Sequence, residues 1–198
     1  MIKTDSQHCP DSVGAIAMSE TVALGLYSPE LFDSETGKLT FEAIRTSYLW
    51  PDNGHVDKCG DSTGVSVARL VHGGAKAELA VVLEEIARKP GKGGKTRVVE
   101  GYARMSIEEL DKIGHQDLFT RDDGKPTFRS HAVIRCMKKL GRSGLRGYRQ
   151  QLVDGFNLDV HRFENGELAA ILEFHKASKL KRLWLQFRAW LRRVFAIK

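Results

Sequence analysis

The sequence predicts an α+β fold, in which a mixed or antiparallel sheet has helices mainly on one face and a cationic amphipathic helix follows at the C-terminus. Segments with strand-like alternation of apolar and polar residues occur between segments with helical periodicity. That order also fits a parallel α/β sheet, which is the alternative. However, every predicted strand carries charged or polar residues at alternate positions, whereas strands buried on both faces are nearly continuous Val, Ile and Leu. This second observation favours α+β.

Length and composition predict one domain with appended segments. A chain of 198 residues, 41% hydrophobic and 28% charged, is long enough to bury a sizeable core and is not globally disordered. Residues 1–20 are polar and lack a clear period, so we expect a flexible N-terminal arm. Residues 21–174 are predicted to form the globular domain, and residues 175–198 the C-terminal helix.

The first part of the domain is predicted to contain a strand, a short helix and a loop. Residues 22–27 have the composition of a strand. Thr40 is placed to cap a helix over residues 41–49, which must end before Pro51 because the residue ahead of a proline is disfavoured in the α region. Residues 51–64 are rich in Gly and Asp, which indicates a loop.

Strands and helices alternate in the middle of the chain. Ser106 and Glu109 have the spacing of a capping box, in which two side chains bond each other's backbone N–H groups at a helix start. Gly114 has the position of a helix C-cap. In order, the predicted elements are a strand over 64–71, a helix over 76–89, a strand over 97–105 and a helix over 107–113.

The last part of the domain is predicted to contain a strand over residues 129–137 and a helix over residues 145–153 that is closed by Gly155. Asn165-Gly166 is the strongest short signal for a hairpin, so we expect strands over 156–163 and 167–174. The alternative is one helix that begins at Glu167 and runs into the C-terminal segment.

Charge is unevenly placed along the chain. Residues 1–123 hold 14 basic and 20 acidic residues, whereas residues 124–153 hold eight basic and no acidic residue. Basic side chains interleaved with glycines suit a nucleic-acid or lipid-phosphate surface. The alternative is a solvated helix face whose charges meet the acidic first half. The predicted anion-binding residues are Lys138, Lys139, Arg142, Arg146 and Arg149.

The C-terminal segment, residues 176–198, has eight Lys or Arg and no Asp or Glu. On a helix its apolar and aromatic residues form one face, which suits an anionic membrane surface, an acidic protein partner or a second copy of the chain. Each Arg at the centre of a bilayer costs about 2.5–3.5 kcal/mol, so we expect this helix to lie on a membrane and not to cross it. The predicted membrane- or partner-binding residues are Leu180, Leu183, Trp184, Phe187, Arg188, Trp190, Leu191, Arg192 and Arg193.

Three residues are catalytic candidates, although the sequence does not say whether the chain is an enzyme. Ser62 has the G-x-S-x-G spacing of a nucleophile elbow, but a loop precedes it and a strand follows, whereas the elbow needs a strand before and a helix after. Cys59 and His131 are predicted to form a nucleophile–base pair if the fold brings them together. The alternative function is therefore a hydrolase or transferase with a Cys/His or Ser/His site.

The cysteines and the N-terminus suggest a cytoplasmic protein. Three scattered cysteines do not form a disulfide framework, and no secretory signal begins the sequence. His55 and Cys59 lie four residues apart, but no C-x-x-C pair accompanies them, so we expect neither a metal ion nor a cofactor. The preferred interpretation is a cytoplasmic protein attached to an anionic surface, most simply the inner face of a membrane, through its C-terminal helix. A nucleic-acid-binding protein or nuclease that uses the 124–153 window is the second interpretation.

Overall fold

The computed structural model describes residues 16–45, 49, 65–71, 73–114, 118–121, 129–136, 140–173 and 175. The chain divides into two units, Met1–Arg162 and Phe163–Lys198. The first unit contains, in chain order, β1 Thr21–Ser28, β2 Phe32–Asp33, β3 Lys38–Leu39, β4 Val65–Arg69, α1 Ala75–Ala87, β5 Val98–Ser106, α2 Ile107–Gly114, β6 Leu118–Arg121, β7 His131–Cys136, α3 Arg142–Phe156 and β8 Val160–Arg162.

A six-stranded sheet in the order β6-β7-β4-β1-β5-β8 forms the centre of this unit. Every neighbouring pair is antiparallel. The predicted α+β class is therefore confirmed with an antiparallel sheet, and the parallel α/β alternative is wrong. Strands β2 and β3 form a separate two-stranded hairpin.

One face of the sheet packs against α2 and α3. Because successive side chains of a strand point to opposite faces, Val22, Leu24 and Leu26 of β1 share a face. They belong to the same buried cluster as Leu152 and Phe156 of α3. Further members of this core are Val65, Val67, Ala103, Met105, Ile107, Leu110, Ala132 and Ile134.

Helix α1 covers the opposite face. A Cβ added to Gly25 would lie 2.7 Å from Leu83 Cδ2 and 3.1 Å from Leu79 Cδ1. Gly25 alternates with Leu24 and Leu26, so this contact is on the side of the sheet away from α3. Two of these three helices, α2 and α3, lie on one face of the sheet as expected. Helix α1 lies on the other face, which the sequence did not predict.

The predicted capping box is present at the start of α2. Ser106 Oγ accepts the backbone N–H of Glu109 at 3.1 Å, and Glu109 Oε2 accepts the backbone N–H of Ser106 at 2.9 Å. The N–H of Ile107 donates to the carbonyl oxygen of Glu20 at 2.9 Å. The first turn of α2 is thus held both by its own side chains and by the residue that precedes β1.

Two predicted helices differ from those observed. The segment after Thr40 begins as a 3₁₀ turn, Phe41–Ala43, and Thr40 Oγ1 donates to the carbonyl of Glu30 at 2.7 Å without capping that turn. Helix α3 extends past the predicted stop at Gly155. The absence of a side chain there lets α3 approach Met105 and Ile113 of the core closely.

The predicted hairpin around Asn165-Gly166 is wrong. Strand β8 pairs with β5, and residues 167–173 of the second unit are helical. Glu167 Oε2 accepts the N–H of Glu164 at 3.1 Å, and the N–H of Glu167 donates to the Glu164 carbonyl at 2.9 Å. The turn therefore starts a helix with half of a capping box, and the start at Glu167 agrees with the alternative. The continuation of that helix into residues 176–198 lies outside the described residues.

Candidate functional site

A cavity of about 230 Å³ lies between β1, β4 and α1. In the part of the chain that the structure describes, the β1–β4 ladder has two residue pairs, Val22 with Arg69 and Ala23 with Ala68. Strand β1 nevertheless continues to Ser28 while β4 begins at Val65. The cavity lies at the end where these two strands no longer form pairs.

The walls of the cavity are mostly aliphatic. Helix α1 contributes four side chains of one face, and β1 and the following turn contribute others. Ser66 and Arg45 add a hydroxyl and a guanidinium to the lining. The apolar lining residues are Leu24, Leu31, Ala43, Val65, Leu79, Val82, Leu83 and Ile86, together with Gly25 and the ring of Tyr27.

Ser66 is hydrogen-bonded to His131 on the neighbouring strand. The register pairs Ala68 with His131 and Ser66 with Val133, so Ser66 and His131 are diagonal neighbours on one face. Ser66 Oγ and His131 Nε2 lie 2.5 Å apart. His131 is 4% exposed, whereas Ser66 is exposed to the cavity side of the sheet.

Ser130, next to His131, ties the start of β7 to α1. Its backbone N–H and its hydroxyl both donate to Glu78 Oε2, at 2.9 and 2.7 Å. Its carbonyl oxygen accepts the N–H of Arg69 at 2.7 Å. These bonds fix the strand that carries His131 against the helix that lines the cavity.

The catalytic candidates are distributed differently from the sequence-based expectation. Cys59 and Ser62 lie outside the described residues, so the predicted Cys59–His131 pair stays a prediction. His131 instead contacts Ser66, and the 2.5 Å between Oγ and Nε2 is shorter than the roughly 2.6–3.2 Å typical of a nucleophile and its base. Since Ser66 lies within a regular strand and not in a strand–turn–helix elbow, we treat it as a hydrogen-bonding group of the cavity.

Two other polar residues of the sheet, Arg69 and Glu100, form ion pairs within the domain. Arg69 is paired with Val22, on the face opposite to His131. It is 2% exposed and forms two hydrogen bonds with Glu20, at 2.6 and 2.7 Å. Glu100 pairs with Arg162 at 3.1 Å. These groups therefore serve the fold in separate places.

Charged groups lie beside the cavity next to Leu31. Glu30 accepts two hydrogen bonds from Arg97, at 2.9 and 3.1 Å, and one from the N–H of Lys92 at 2.7 Å. The bond from Arg97 and then that from Lys92 hold the pKa of the Glu30 carboxyl below its usual value, and the charge of Arg45 acts in the same direction. Two guanidinium groups thus act on one carboxylate.

The predicted anion-binding residues of α3 divide into two kinds. Arg142 and Arg146 are exposed. Arg149 is only 7% exposed. Its guanidinium lies 3.7 Å from the ring centre of Phe41 and donates a hydrogen bond to the Phe41 carbonyl oxygen. The same guanidinium lies 3.4 Å from a carboxylate oxygen of Glu42. Arg149 therefore belongs to the packing of the domain. Lys138 and Lys139 lie outside the described residues.

The nine predicted binding residues of the segment 176–198 also lie outside the described residues. Within those that are described, no helix is long and apolar enough to cross a membrane. The same residues contain no group of three or more His, Cys, Asp or Glu side chains that could hold a metal ion. Comparisons with protein-family models, curated proteins and solved structures found no match to this chain.

Sequence reasoning did not find Ser66, Arg45 or the α1 wall of the cavity. The helical periodicity of α1 indicates that Leu79 and Leu83 are buried, but not which part of the sheet they cover. The diagonal contact between Ser66 and His131 depends on strand register, which the residue pattern alone does not specify here.

Proposed function

We propose that the protein is a peripheral protein that attaches to an anionic membrane surface on the cytoplasmic side through residues 176–198. The observation that carries the proposal is the composition of that segment, with eight basic residues, no acidic residue and an aromatic, apolar helical face. Its membership of a unit separate from Met1–Arg162 is consistent with an attachment element appended to a folded domain.

The magnitude of the expected attraction suits reversible attachment. A basic residue near an anionic membrane contributes about 1 kcal/mol, so eight of them set an upper bound of roughly 8 kcal/mol before the cost of ordering the segment. Burial of Trp184, Phe187 and Trp190 at the headgroup boundary would add to this. Because the charge contribution is electrostatic, it weakens as salt concentration rises.

The second candidate function is nucleic-acid binding by α3. It is favoured by the exposure of Arg142 and Arg146 and by the lack of acidic residues in the first turn of α3. Phosphate contacts by such side chains position a nucleic acid without reading its sequence. Because Arg149 is used within the fold, we leave it out of this surface.

Co-sedimentation of the full chain with lipid vesicles tests the proposal. We expect binding to vesicles that contain phosphatidylglycerol, little binding to pure phosphatidylcholine, and release by salt. Neutralising Arg188, Arg192 and Arg193 together to Gln should weaken binding, whereas neutralising Arg142 and Arg146 to Gln is the matched control and should not.

Other results would favour other functions. Nucleic-acid binding would be the better interpretation if the protein did not bind anionic vesicles but shifted nucleic acid on a gel in a salt-sensitive way. That shift should then be lost when Arg142 and Arg146 are both changed to Gln. Concentration-dependent self-association that the Arg188, Arg192 and Arg193 variant abolishes, again without vesicle binding, would identify the segment as an oligomerisation helix.

A further inference from the structure

The cavity between β1, β4 and α1 has the properties of a small-ligand site. We propose that it binds a single uncharged aliphatic alcohol of medium chain length, such as the linear primary alcohol octanol. The site lies in the first unit and the argument uses none of residues 176–198, so it holds whether or not the chain attaches to membranes.

The walls determine the apolar part of the ligand. Leu24 and Leu31 line the cavity from β1 and from the turn that follows it. Helix α1 presents an aliphatic face made of Leu79, Val82, Leu83 and Ile86. A chain of methylene groups loses its contact with water there, whereas a sugar or nucleotide would leave its polar groups without partners along such walls.

The volume limits the length of the ligand. The cavity measures about 230 Å³. An apolar cavity of roughly 150 Å³ holds benzene, so the volume per atom indicates a ligand of roughly nine non-hydrogen atoms here. Octanol is a linear molecule of that size, whereas a two-chain lipid is too large.

Ser66 determines the head of the ligand. Its hydroxyl lines the cavity and shares a hydrogen bond with Nε2 of His131, with 2.5 Å between the two atoms. If Nε2 carries no proton, the hydroxyl donates to it and can accept from the ligand. If Nε2 carries the proton, the hydroxyl accepts that bond and can donate to the ligand. An alcohol both donates and accepts, so it suits either tautomer, whereas a carbonyl oxygen suits only one.

The charged side chains near the cavity do not favour an anionic head. Glu30 is itself negative and accepts hydrogen bonds from Arg97 and from the N–H of Lys92. Arg45 lines the cavity but is exposed, and an ion pair with an exposed guanidinium contributes little in water. A carboxylate would also lose more hydration than a hydroxyl on entering the aliphatic part of the cavity. The alcohol is therefore favoured over a fatty acid of the same length.

Calorimetric titration of the full chain with linear alcohols tests the site. We expect saturable binding of one octanol per chain. Binding should tighten about 15-fold from hexanol to octanol, which corresponds to about 0.8 kcal/mol for each added methylene. It should not tighten further from octanol to decanol, because the added methylenes exceed the cavity. An affinity that keeps rising at the same rate to decanol would overturn the site, because an open surface or residues 176–198 would then bind the alcohol.

Two substitutions that fill the cavity from α1, Val82→Trp and Ile86→Trp, should each abolish octanol binding. Glu85→Trp introduces the same side chain at an exposed position of α1 and should leave binding unchanged. Loss of binding in both filled variants, with circular dichroism unchanged, would support the site. Full octanol affinity in both would overturn it. If neither variant folds, the chain-length series with the unaltered protein decides.

Ser66→Ala tests the head group, with dibutyl ether, an isomer of octanol that has no hydroxyl, as the second probe. Octanol should bind roughly fivefold more weakly, which corresponds to about 1 kcal/mol for one hydrogen bond, and dibutyl ether should be unaffected. Ser34→Ala removes an exposed hydroxyl outside the cavity lining and should change neither. Unchanged octanol affinity, or equal weakening of both probes, would contradict the role of Ser66.

Sodium octanoate, a carboxylate of the same chain length, tests the charge of the head. We expect it to bind more weakly than octanol in the same buffer. Equal or tighter binding of octanoate would overturn the assignment of an uncharged ligand.

Discussion

At the scale of single residues, Arg149 shows why a basic sequence window does not define a basic surface. The sequence groups it with Arg142 and Arg146 in one basic window. In the structure its guanidinium lies over the ring of Phe41 and bonds the Phe41 carbonyl. A planar guanidinium can stack on an aromatic ring while donating in its own plane, which an ammonium cannot do as well.

We therefore predict that Arg149→Ala reduces the free energy of unfolding by about 1–3 kcal/mol, because it removes a buried hydrogen bond and a cation–π contact. Arg146→Ala, at an exposed site of the same helix, should change it by less than about 0.5 kcal/mol. Urea unfolding followed by circular dichroism measures both. Similar values for the two variants would mean that Arg149 does not have the packing role described here.

The Glu30–Arg97 pair predicts a pH dependence of stability. A carboxyl whose folded-state pKa is lowered stabilises the fold above its unfolded-state pKa, near 4.3, and this contribution is lost as pH falls through the folded-state value. Arg97 is the largest cause of the lowered pKa of Glu30.

We expect Glu30→Gln to reduce the free energy of unfolding by about 1 kcal/mol at neutral pH. The difference from the wild type should be constant above about pH 5.5 and should shrink as pH falls below the unfolded-state value. Urea titrations from pH 7 to pH 3 measure it, with Glu85→Gln as an exposed control. A difference that grows as the solution becomes more acidic would have the wrong sign for this pair.

At the scale of elements, the start of α2 could be predicted because the partners that form it are close in sequence. The capping box of Ser106 and Glu109 involves residues three apart, and the structure contains both of its bonds. The hairpin predicted at Asn165-Gly166 was wrong because the same dipeptide suits both a hairpin turn and a helix start. Glu167 favours the helix start, since its carboxylate accepts the N–H of Glu164. Contacts between distant residues, such as that of Ser66 with His131, carry no comparable local signal.

The pairing of β5 with β8 depends on a glycine. Gly101 lies opposite Arg162 in the register, and a Cβ built on it would overlap the backbone oxygen of His161. Since a backbone atom cannot rotate away as a side chain does, the strand would have to move.

We predict that Gly101→Ala lowers the free energy of unfolding by about 1–3 kcal/mol, the usual cost of overpacking. Gly147→Ala has nothing within 4 Å of the added carbon and lies in α3, where alanine is the better helix former, so it should be neutral or stabilise by up to about 1 kcal/mol. Thermal and urea unfolding of the two variants compare them directly. Equal stability of Gly101→Ala and the wild type would contradict the close approach of β8.

At the scale of the whole molecule, the polar residues of the predicted strands indicated the correct α+β class, although α1 covers the face of the sheet opposite to α2 and α3 and consecutive residues of β1 are buried. The cavity could not be predicted from the sequence. It forms because β1 and β4 stop pairing, because α1 covers that end of the sheet, and because Arg45 of another segment lines it. The uneven distribution of charge along the chain could be predicted from the sequence. The packing role of an individual basic residue such as Arg149 could not.

We expect folding and surface attachment to reside in different parts of the chain. Removal of residues 176–198 takes away eight basic residues and changes the net charge from +6 to −2. The helix of residues 167–173 is retained in a chain that ends at residue 175.

The most direct measurement compares the full chain with a chain that ends at residue 175, by thermal unfolding and by co-sedimentation with phosphatidylglycerol vesicles in the same buffer. We predict a cooperative melt within a few degrees of the full chain, as expected for a change of less than about 1 kcal/mol in a domain of this size, and complete loss of vesicle binding. A truncated chain that does not melt cooperatively, or that still sediments with the vesicles, would show that folding and attachment are not separated in this way.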